Sequence, residues 1–432
     1  MIRQITSSSS PVIALFIVSL VSSSAPSPAA PTQATGDSGA SAEQETPGER
    51  KTRAEILREM REEKSRELFP ESVSRWEARI RGWEEAQFPR NWLVKGWNGF
   101  RPVFGGMPSG SGFVLGAGYI HGLTAQYFQA QANARFSTRG YTMLDGEAVF
   151  PPPQDGRRVE LKFRAQYRDL TSLRFYGLGN DSSVESQSFY QLEDTLFGGY
   201  AWLNPRGLLS FGAEGGFLRA ETSSGSEQPS VGDEFPAVEI PGFDAPRTDY
   251  SVVGGWVEFD VRDKWEDPQV GLVARIAGLR YDDTVVNAFD FTRVVADVKG
   301  YVPLGPKSRI LALRLRTSHS TADIGDAVPF YLMETLGGAK SIRGFNEFRF
   351  QDTRNLLVNV EYRWEVWTFA DFAFFFDAGK VFADEEDFDF KDMHTGYGFG
   401  IRGHAPGDVT LRFDFAHSTE GFKFHISGGP SF

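Results

Sequence analysis

The chain has 432 residues, a formal net charge of −12 and no cysteine. The acidic balance argues against nucleic acid as a partner, because a phosphate-binding surface is basic. The lack of cysteine excludes disulfides, thiolate catalysis and cysteine zinc sites. Aromatic residues are abundant, with 38 Phe, 13 Tyr and 9 Trp. A soluble core could bury some of them, whereas a membrane barrel places them in a lipid-facing band and two interfacial girdles.

The first 48 residues predict an export signal followed by a linker. Residues 1–25 combine Arg3, an apolar core at 12–21 and small residues at the end, which is typical of a secretory signal peptide. An uncleaved membrane helix is the alternative, but about ten apolar residues are too few to span a bilayer. Residues 26–48 are rich in Ser, Ala, Pro, Gly and Thr and are predicted to be a disordered linker.

Residues 49–90 predict a short helical segment in the periplasm. A capping box begins at Thr52, and a second helix places Trp76, Ile80 and Trp83 on one face. Two positions are open for this segment relative to the β-barrel that residues 91–432 predict. We favour packing at the periplasmic rim or the membrane interface over entry into the barrel as a plug.

In residues 91–432, short segments alternate between apolar and polar side chains. One of them places Leu161 and Phe163 opposite Lys162 and Arg164. Successive side chains of a strand point to opposite faces, so such segments separate an apolar medium from a polar one. The backbone groups of strands in a bilayer must all be paired, which requires a closed sheet. The pattern predicts a transmembrane antiparallel β-barrel and disfavours a soluble β-sandwich, whose outer faces would be polar.

Fifteen strands can be recognised, and about sixteen are expected because single-chain bacterial barrels have even numbers. The additional strand is expected within residues 91–104, or from two merged strands near 121–137. Short and long connections alternate along the chain, as expected for short periplasmic turns and long external loops. The longest predicted loops are 171–188, 221–249, 321–354 and 383–394.

The most distinctive stretch is a glycine-rich loop followed by two alternating strands. The loop lies within residues 321–354 and reads Ile-Arg-Gly-Phe at 342–345. The strand at 355–367 places Glu361 on its polar face, and the next strand, rich in Phe, does the same for Asp377. The alternation predicts that both carboxylates face the barrel lumen.

This combination resembles the C-terminal part of BamA/TamA-type outer membrane barrels, the bacterial surface antigen family, and the resemblance extends weakly over residues 112–432. It implies that the loop folds back into the lumen, where Arg343 meets Glu361 and Asp377. A guanidinium presents five donors in a planar fork and can satisfy two carboxylates at once. We therefore interpret Arg343 as a latch that positions the loop, in preference to a catalytic group.

Five glycine or aromatic residues are expected to support this latch. Gly344 lets the loop turn tightly, and Phe345 anchors it against the wall. Gly396, Gly398 and Gly400 share the lumen-facing side of their strand. We expect them to clear space for the loop.

The C-terminal Phe432 is expected to close the last strand, predicted at 422–432. Apolar side chains recur in this strand at a spacing of two. A C-terminal aromatic is typical of outer membrane barrels and resembles the sorting signal that the barrel assembly machinery reads.

The sequence contains no recognisable catalytic or metal-binding motif. The six histidines are scattered and form no HExxH pair, and no Gly-x-Ser-x-Gly elbow or phosphate loop is found. The acidic run at 384–389 could hold calcium, but a solvated loop of like charges is the favoured interpretation. The sequence therefore predicts no enzymatic activity, no metal and no cofactor.

The resemblance implies an outer membrane factor that helps client proteins insert into, or cross, the outer membrane. Its expected partners are outer membrane lipids, lipopolysaccharide and unfolded client proteins. Family members usually carry periplasmic POTRA domains, and residues 43–90 are too short and too poor in strands to form one. The alternative is a passive channel or a surface-exposed structural barrel that keeps the latched loop without assembly activity.

Overall fold

The computed structural model describes residues 97–432, apart from the gaps 123–126, 152–157, 206, 237–238, 244, 265–266, 306–308, 368–369 and 406–407. The predicted signal peptide (1–25), linker (26–48) and helical segment (49–90) lie outside the described residues. Within the described part, no helix has the length and apolar character needed to cross a membrane.

Sixteen strands form one antiparallel sheet in which each strand pairs with its neighbour along the chain. They are β1 (Phe100–Phe104), β2 (Val114–His121), β3 (Gln129–Ser137), β4 (Thr142–Phe150), β5 (Val159–Phe175), β6 (Ser188–Leu203), β7 (Leu209–Ser224), β8 (Thr248–Asp260), β9 (Gly271–Asp283), β10 (Phe291–Pro303), β11 (Arg309–Ala322), β14 (Arg354–Trp367), β15 (Ala370–Phe382), β16 (His394–Ala405), β17 (Asp408–Ser418) and β18 (Gly421–Ser427). The predicted strand number is confirmed, and the strand missing from the sequence pattern is β1.

Between β11 and β14 the chain forms a separate two-stranded hairpin, β12 (Glu334–Leu336) and β13 (Phe350–Asp352). This hairpin was not predicted, because three residues are too few to show alternation. One short helix, α1 (Val231–Glu234), lies in the connection between β7 and β8.

The sheet has an apolar outer face and a polar inner face. Side chains such as Phe197 and Ile276, each 62% exposed, point outwards. On the inner face, polar side chains such as Asn359, Glu361 and Asp414 are at most 2% exposed. Apolar atoms facing outwards suit a lipid medium, and paired polar groups suit the lumen.

Strand β5 continues six residues beyond the point where its alternation ends in the sequence. A register shift between Leu170 and Leu173 inserts one extra residue into β5 relative to β6. A bulge of this kind reverses the phase of the side chains, so the period-two pattern is interrupted although the strand goes on to Phe175.

A hydrophobic cluster closes the end of the barrel that carries the long loops. Phe330, which is fully buried, makes edge-on ring contacts with Phe175, Tyr190 and Phe243. These residues come from the wall and from the β7–β8 and β11–β12 connections, so the external loops pack together over the mouth.

The two end strands of the sheet are its shortest. β1 pairs with β2 at five positions, and β18 pairs with β17 at seven, whereas β10 pairs with β11 at thirteen. The last strand ends at Ser427, so the prediction that it extends to Phe432 is wrong. Gly429 has a φ of +76°, and Pro430 has no N–H to donate to a ladder, so the chain leaves the sheet here.

Candidate functional site

Arg343 lies inside the barrel and is bonded to both predicted carboxylates. Its Nε and Nη2 donate to the two oxygens of Asp377 at 2.7 and 2.8 Å, and its Nη1 donates to Glu361 Oε2 at 2.9 Å. Its backbone N–H also donates to Asp377 Oδ2 at 3.1 Å. The guanidinium lies over the ring of Phe375, 3.5 Å from its centroid. All three charged side chains are at most 2% exposed.

Glu361 is the centre of a wider charge cluster. Besides Arg343, it accepts from Arg363 Nε at 2.8 Å and from Arg402 Nη2 at 2.6 Å. Asp414, on β17, lies 3.6 Å from Arg402 and 2.7 Å from Arg412. A buried carboxylate with this many cationic partners remains charged, and removal of one partner leaves an uncompensated charge.

The electrostatics of Arg343 favour its protonated form. Burial alone would lower the pKa of this guanidinium, but the ion pair with Asp377, supported by Glu361, raises it above its ordinary value. Asn359 completes the Asp377 side of the site by donating to Asp377 Oδ1 and to the carbonyl of Ser341, both at 2.8 Å. The loop is therefore fixed through its backbone as well as through Arg343.

Of the three β16 glycines predicted to make room for the loop, the structure places only Gly396 against it. A Cβ at Gly396 would lie 1.8 Å from the carbonyl oxygen of Arg343. A Cβ at Gly398 would instead meet the backbone carbonyl oxygen of Phe415 at 2.0 Å and the Phe375 ring at 2.8 Å, and one at Gly400 would meet Asp414 Oδ1 at 2.2 Å. The expectation that Gly398 and Gly400 make room for the loop was wrong, because they make room for backbone and side-chain atoms of the neighbouring strands β15 and β17.

Apolar contacts hold the loop beside the charge cluster. Phe345 is 1% exposed and packs with Ile342, Phe350 and Leu357 in a buried group. Its ring also meets His394, which stacks on Phe350 at 3.8 Å. Gly344, with a φ of +104°, brings the chain against β17, where Ser418 Oγ donates to the Gly344 carbonyl at 2.7 Å.

A second anchor, which the sequence did not reveal, holds the β12–β13 hairpin. Glu334 accepts from Arg316 Nη2 and from Asn355 Nδ2, both at 3.0 Å, and Arg293 lies 3.5 Å away. Burial alone would raise the pKa of the Glu334 carboxyl, but Arg316 and Arg293 hold that pKa well below its ordinary value. The loop is thus bound to the wall through one buried arginine and one buried glutamate.

The loop also contacts hairpins at both ends of the sheet. Arg349 forms an ion pair with Glu420 in the β17–β18 turn and donates to Ser182 Oγ at 2.9 Å. On the other side, the N–H of Ser109 in the β1–β2 connection donates to Glu347 Oε2 at 2.6 Å. The loop therefore bridges the first and last hairpins of the barrel.

The C-terminal residues fold into the lumen. Ser431 is 5% exposed and donates from Oγ to Glu361 Oε1 at 2.8 Å. The Phe432 ring packs against a buried group on β10 and β11 and lies 5.8 Å from the Arg363 guanidinium carbon. Sequence reasoning missed this tail, together with Arg363, Arg402, Arg412 and Asp414. The only available signal for the strand residues was their position on the polar phase.

One group of carboxylates within the described residues is close enough to share a cation. It consists of Asp290, Asp323 and Asp326 at the long-loop end. Arg280 already donates to Asp323 at 2.7 and 2.8 Å and lies 3.7 Å from Asp290. Asp323 and Asp290 therefore already have a cationic partner within the protein.

The fold and the latched loop define an outer membrane β-barrel. The Omp85 superfamily domain matches residues 114–432, and the chain belongs to this superfamily. It is accordingly an outer membrane protein of Gram-negative bacteria. The long loops then lie outside the cell, and the short turns lie in the periplasm.

Two solved structures of outer membrane proteins are similar to this chain. BamA from Haemophilus ducreyi lacking POTRA domains 1–3 matches with a TM-score of 0.56 and 18% identity, over 77% of this chain and 70% of that chain. CdiB from Escherichia coli matches with a TM-score of 0.49 and 11% identity, over 77% of this chain and 61% of that chain. At such identities the BamA likeness shows the fold alone. No curated protein matches the sequence.

Proposed function

We propose that this barrel helps client proteins to insert into, or cross, the outer membrane. Membership of the Omp85 superfamily and the BamA-like fold support a role in outer membrane protein assembly or secretion. Its proposed partners are outer membrane lipids, lipopolysaccharide and unfolded client proteins. The observation that carries the proposal is the contrast between the short end strands and the long strands in the rest of the wall.

This contrast makes the seam between β1 and β18 the weakest part of the wall. A barrel opens sideways at the smallest cost where the fewest backbone hydrogen bonds and side-chain pairs hold its strands. β1 pairs with its neighbour β2 at five positions and β18 pairs with its neighbour β17 at seven, against thirteen between β10 and β11. Both strands that border the seam are therefore short and can offer each other few backbone partners. An exposed strand edge is a template for pairing with another chain. A client strand could therefore add to the sheet at this seam.

The latched loop supports an assembly factor over a passive channel. Arg343, Phe345 and Glu334 are buried against the inner wall, so the loop occupies space that a channel would leave to water. Because the loop contacts the hairpins at both ends of the sheet, its position is coupled to the seam. A loop that moves with the seam would regulate opening.

The test uses the purified full-length protein in liposomes of outer membrane lipids. The folding rate of an unfolded client barrel added from outside is followed together with ion conductance. Faster client folding with the protein than with empty liposomes is expected. Clear conductance without acceleration would favour the channel, and neither effect would favour a structural surface barrel.

Two matched variants extend this test. Gly396→Ala places a methyl group against the loop, whereas Gly403→Ala on the same strand meets no atom closer than 3.8 Å. If the latch regulates client insertion, Gly396→Ala changes the rate of client folding and Gly403→Ala does not. Equal rates of client folding for both variants and the unmodified protein would show that the latch does not regulate client insertion.

A further inference from the structure

A cavity lies among the external loops, and none of its lining residues belongs to the Arg343 latch. Its volume is about 460 Å³, and it opens on the surface of the protein. It is lined by three connections, namely β7–β8 (240–243 and 245), β9–β10 (288–289) and β11–β12 (325–327). Pockets that hold small ligands have volumes of about 300–1,000 Å³, so this cavity has room for a small molecule.

Backbone hydrogen bonds between these connections fix the shape of the cavity. The Ala327 N–H donates to the Ala288 carbonyl at 3.0 Å, which joins β11–β12 to β9–β10. The Phe330 N–H donates to the Pro241 carbonyl at 2.9 Å, which joins β11–β12 to β7–β8. A pocket that is already formed needs little ordering when a ligand binds, and this lowers the entropic cost of binding.

The lining of the cavity is apolar and partly aromatic. Ile240, Phe243 and Phe289 are each at most 8% exposed. Among the described residues of the lining, Asp326 alone is charged. An apolar ring or a short apolar chain gains burial in such a cavity. Phe rings also attract a cation that is placed over their faces.

The Asp326 carboxylate has no counter-charge among the described residues. Arg280 donates to both oxygens of Asp323 at 2.7 and 2.8 Å and lies 3.7 Å from Asp290, but it makes no ion pair with Asp326. One oxygen from each of the three carboxylates lies within 4.8 Å of the others. One guanidinium against three carboxylates leaves this side of the cavity with a net negative charge, which favours a cationic ligand.

We propose that this cavity is a binding site for a small organic cation from outside the cell, in which an ammonium group is attached to an apolar ring or short chain. The ring or chain lies against Phe243 and Phe289, and the ammonium donates to Asp326. An anionic ligand would be repelled by the carboxylates, and a bare metal ion would leave the apolar lining uncovered. The site does not depend on the proposed function, since it involves neither the seam nor a client protein.

The experiment measures the binding of three compounds that share an indole ring and differ in charge. Tryptamine carries an ammonium group, tryptophol is neutral, and indole-3-acetate is an anion. Full-length protein refolded in detergent is dialysed to equilibrium against each compound, and the same detergent without protein corrects for partition into micelles. Heat-modifiable migration on a mild gel verifies that each variant is folded.

The unmodified protein is expected to bind tryptamine about tenfold more tightly than tryptophol, because a charge-assisted hydrogen bond adds to the same apolar contact. It should bind indole-3-acetate more weakly than either. Asp326→Asn should lower the affinity for tryptamine about tenfold, to the level of tryptophol, and leave tryptophol binding unchanged. Asp387→Asn is the matched control, because Asp387 is an exposed carboxylate in another external loop. It should leave the binding of all three compounds unchanged.

A second variant tests the apolar part of the site. Ala245→Phe places a ring in the cavity and keeps Asp326, so it should abolish the binding of tryptamine and of tryptophol together. Unchanged binding of both compounds by this variant would overturn the assignment of the site to this cavity.

Other results would overturn the recognition of an organic cation. Equal affinities for tryptamine and tryptophol, or tryptamine binding that persists unchanged in Asp326→Asn, would show that the carboxylate does not select the ligand. Ca²⁺ binding that is lost in Asp326→Asn, together with no tryptamine binding, would assign the carboxylates to a metal ion instead.

Discussion

At the scale of single residues, the arrangement around Arg343 is dominated by the cost of burying charge. The three nitrogens of its planar guanidinium donate to two carboxylates in a geometry that lysine cannot reproduce. Asn359 and the stacked Phe375 ring restrict the carboxylate and the guanidinium further. Such a cluster is costly to break, because any single removal leaves a buried partner without its counter-charge.

Arg343→Ala, and separately Asp377→Asn, should release the loop. Arg343→Ala leaves the buried Asp377 carboxylate without its arginine, and Asp377→Asn removes the charge that Arg343 pairs with through Nε and Nη2. The cost of each change is on the order of 3–5 kcal/mol if the site is dry. The measurement is the rate of limited proteolysis within residues 321–354. Arg309→Ala is the control, since Arg309 is exposed on β11. Unchanged protease resistance in both latch variants would refute the latch.

The second anchor makes loop docking sensitive to acid. The pKa of Glu334 is held below its ordinary value in the folded protein. Its stabilising effect is therefore complete above the ordinary glutamate pKa of about 4.3, and it is lost as the pH falls below that value. Protease protection of the loop should be constant from about pH 7 to about pH 5 and decrease in stronger acid.

Glu334→Gln is the matched variant for this pH dependence. It should lower protection at neutral pH, because Arg316 and Arg293 lose their counter-charge, and it should flatten the decrease in acid. An identical pH profile for the variant and the unmodified protein would assign the acid sensitivity to other carboxylates.

At the scale of the element, β16 shows how a strand is shaped by what lies against it. The glycines at 396, 398 and 400 make room in turn for a loop carbonyl, for the Phe415 carbonyl with the Phe375 ring, and for the Asp414 carboxylate. Glycine at every second position predicted space for the loop, but only Gly396 faces it. The bulge in β5 and the turn at Gly429 are further places where local backbone geometry overrode alternation.

Gly396→Ala should displace the loop while leaving the strand paired. The added methyl group would overlap the Arg343 carbonyl oxygen, which belongs to backbone that cannot rotate away. Loop proteolysis should accelerate in Gly396→Ala and remain unchanged in Gly403→Ala. A crystal structure or cysteine-labelling experiment showing an undisturbed loop in Gly396→Ala would contradict this reading of the contact.

At the scale of the whole molecule, a long-stranded wall is combined with a short-stranded seam. The loop between β11 and β14 contacts the β1–β2 connection on one side and the β17–β18 turn on the other. The C-terminal tail meets the same carboxylate as the loop. Seam, latch and tail are therefore linked through shared contacts.

The folded barrel should show heat-modifiable migration on mild gels. A barrel whose backbone groups are internally paired stays compact in detergent until it is heated. The unheated sample is expected to migrate separately from the heated one. Unheated protein that runs as the unfolded form would be incompatible with a stable barrel. If Arg343→Ala protein still migrates differently before and after heating, the latch is not required for the stability of the whole barrel.

The sequence alone determined the barrel, most strand positions and the pairing candidates Arg343, Glu361 and Asp377. It could do so because strand alternation is a local property, and a lipid-facing wall enforces it residue by residue. Only the tertiary structure decided which buried side chains complete the site. Glu334, Asp414 and Ser431 come from distant segments, and their contacts depend on the curvature of the sheet and on the path of the loop and tail inside it.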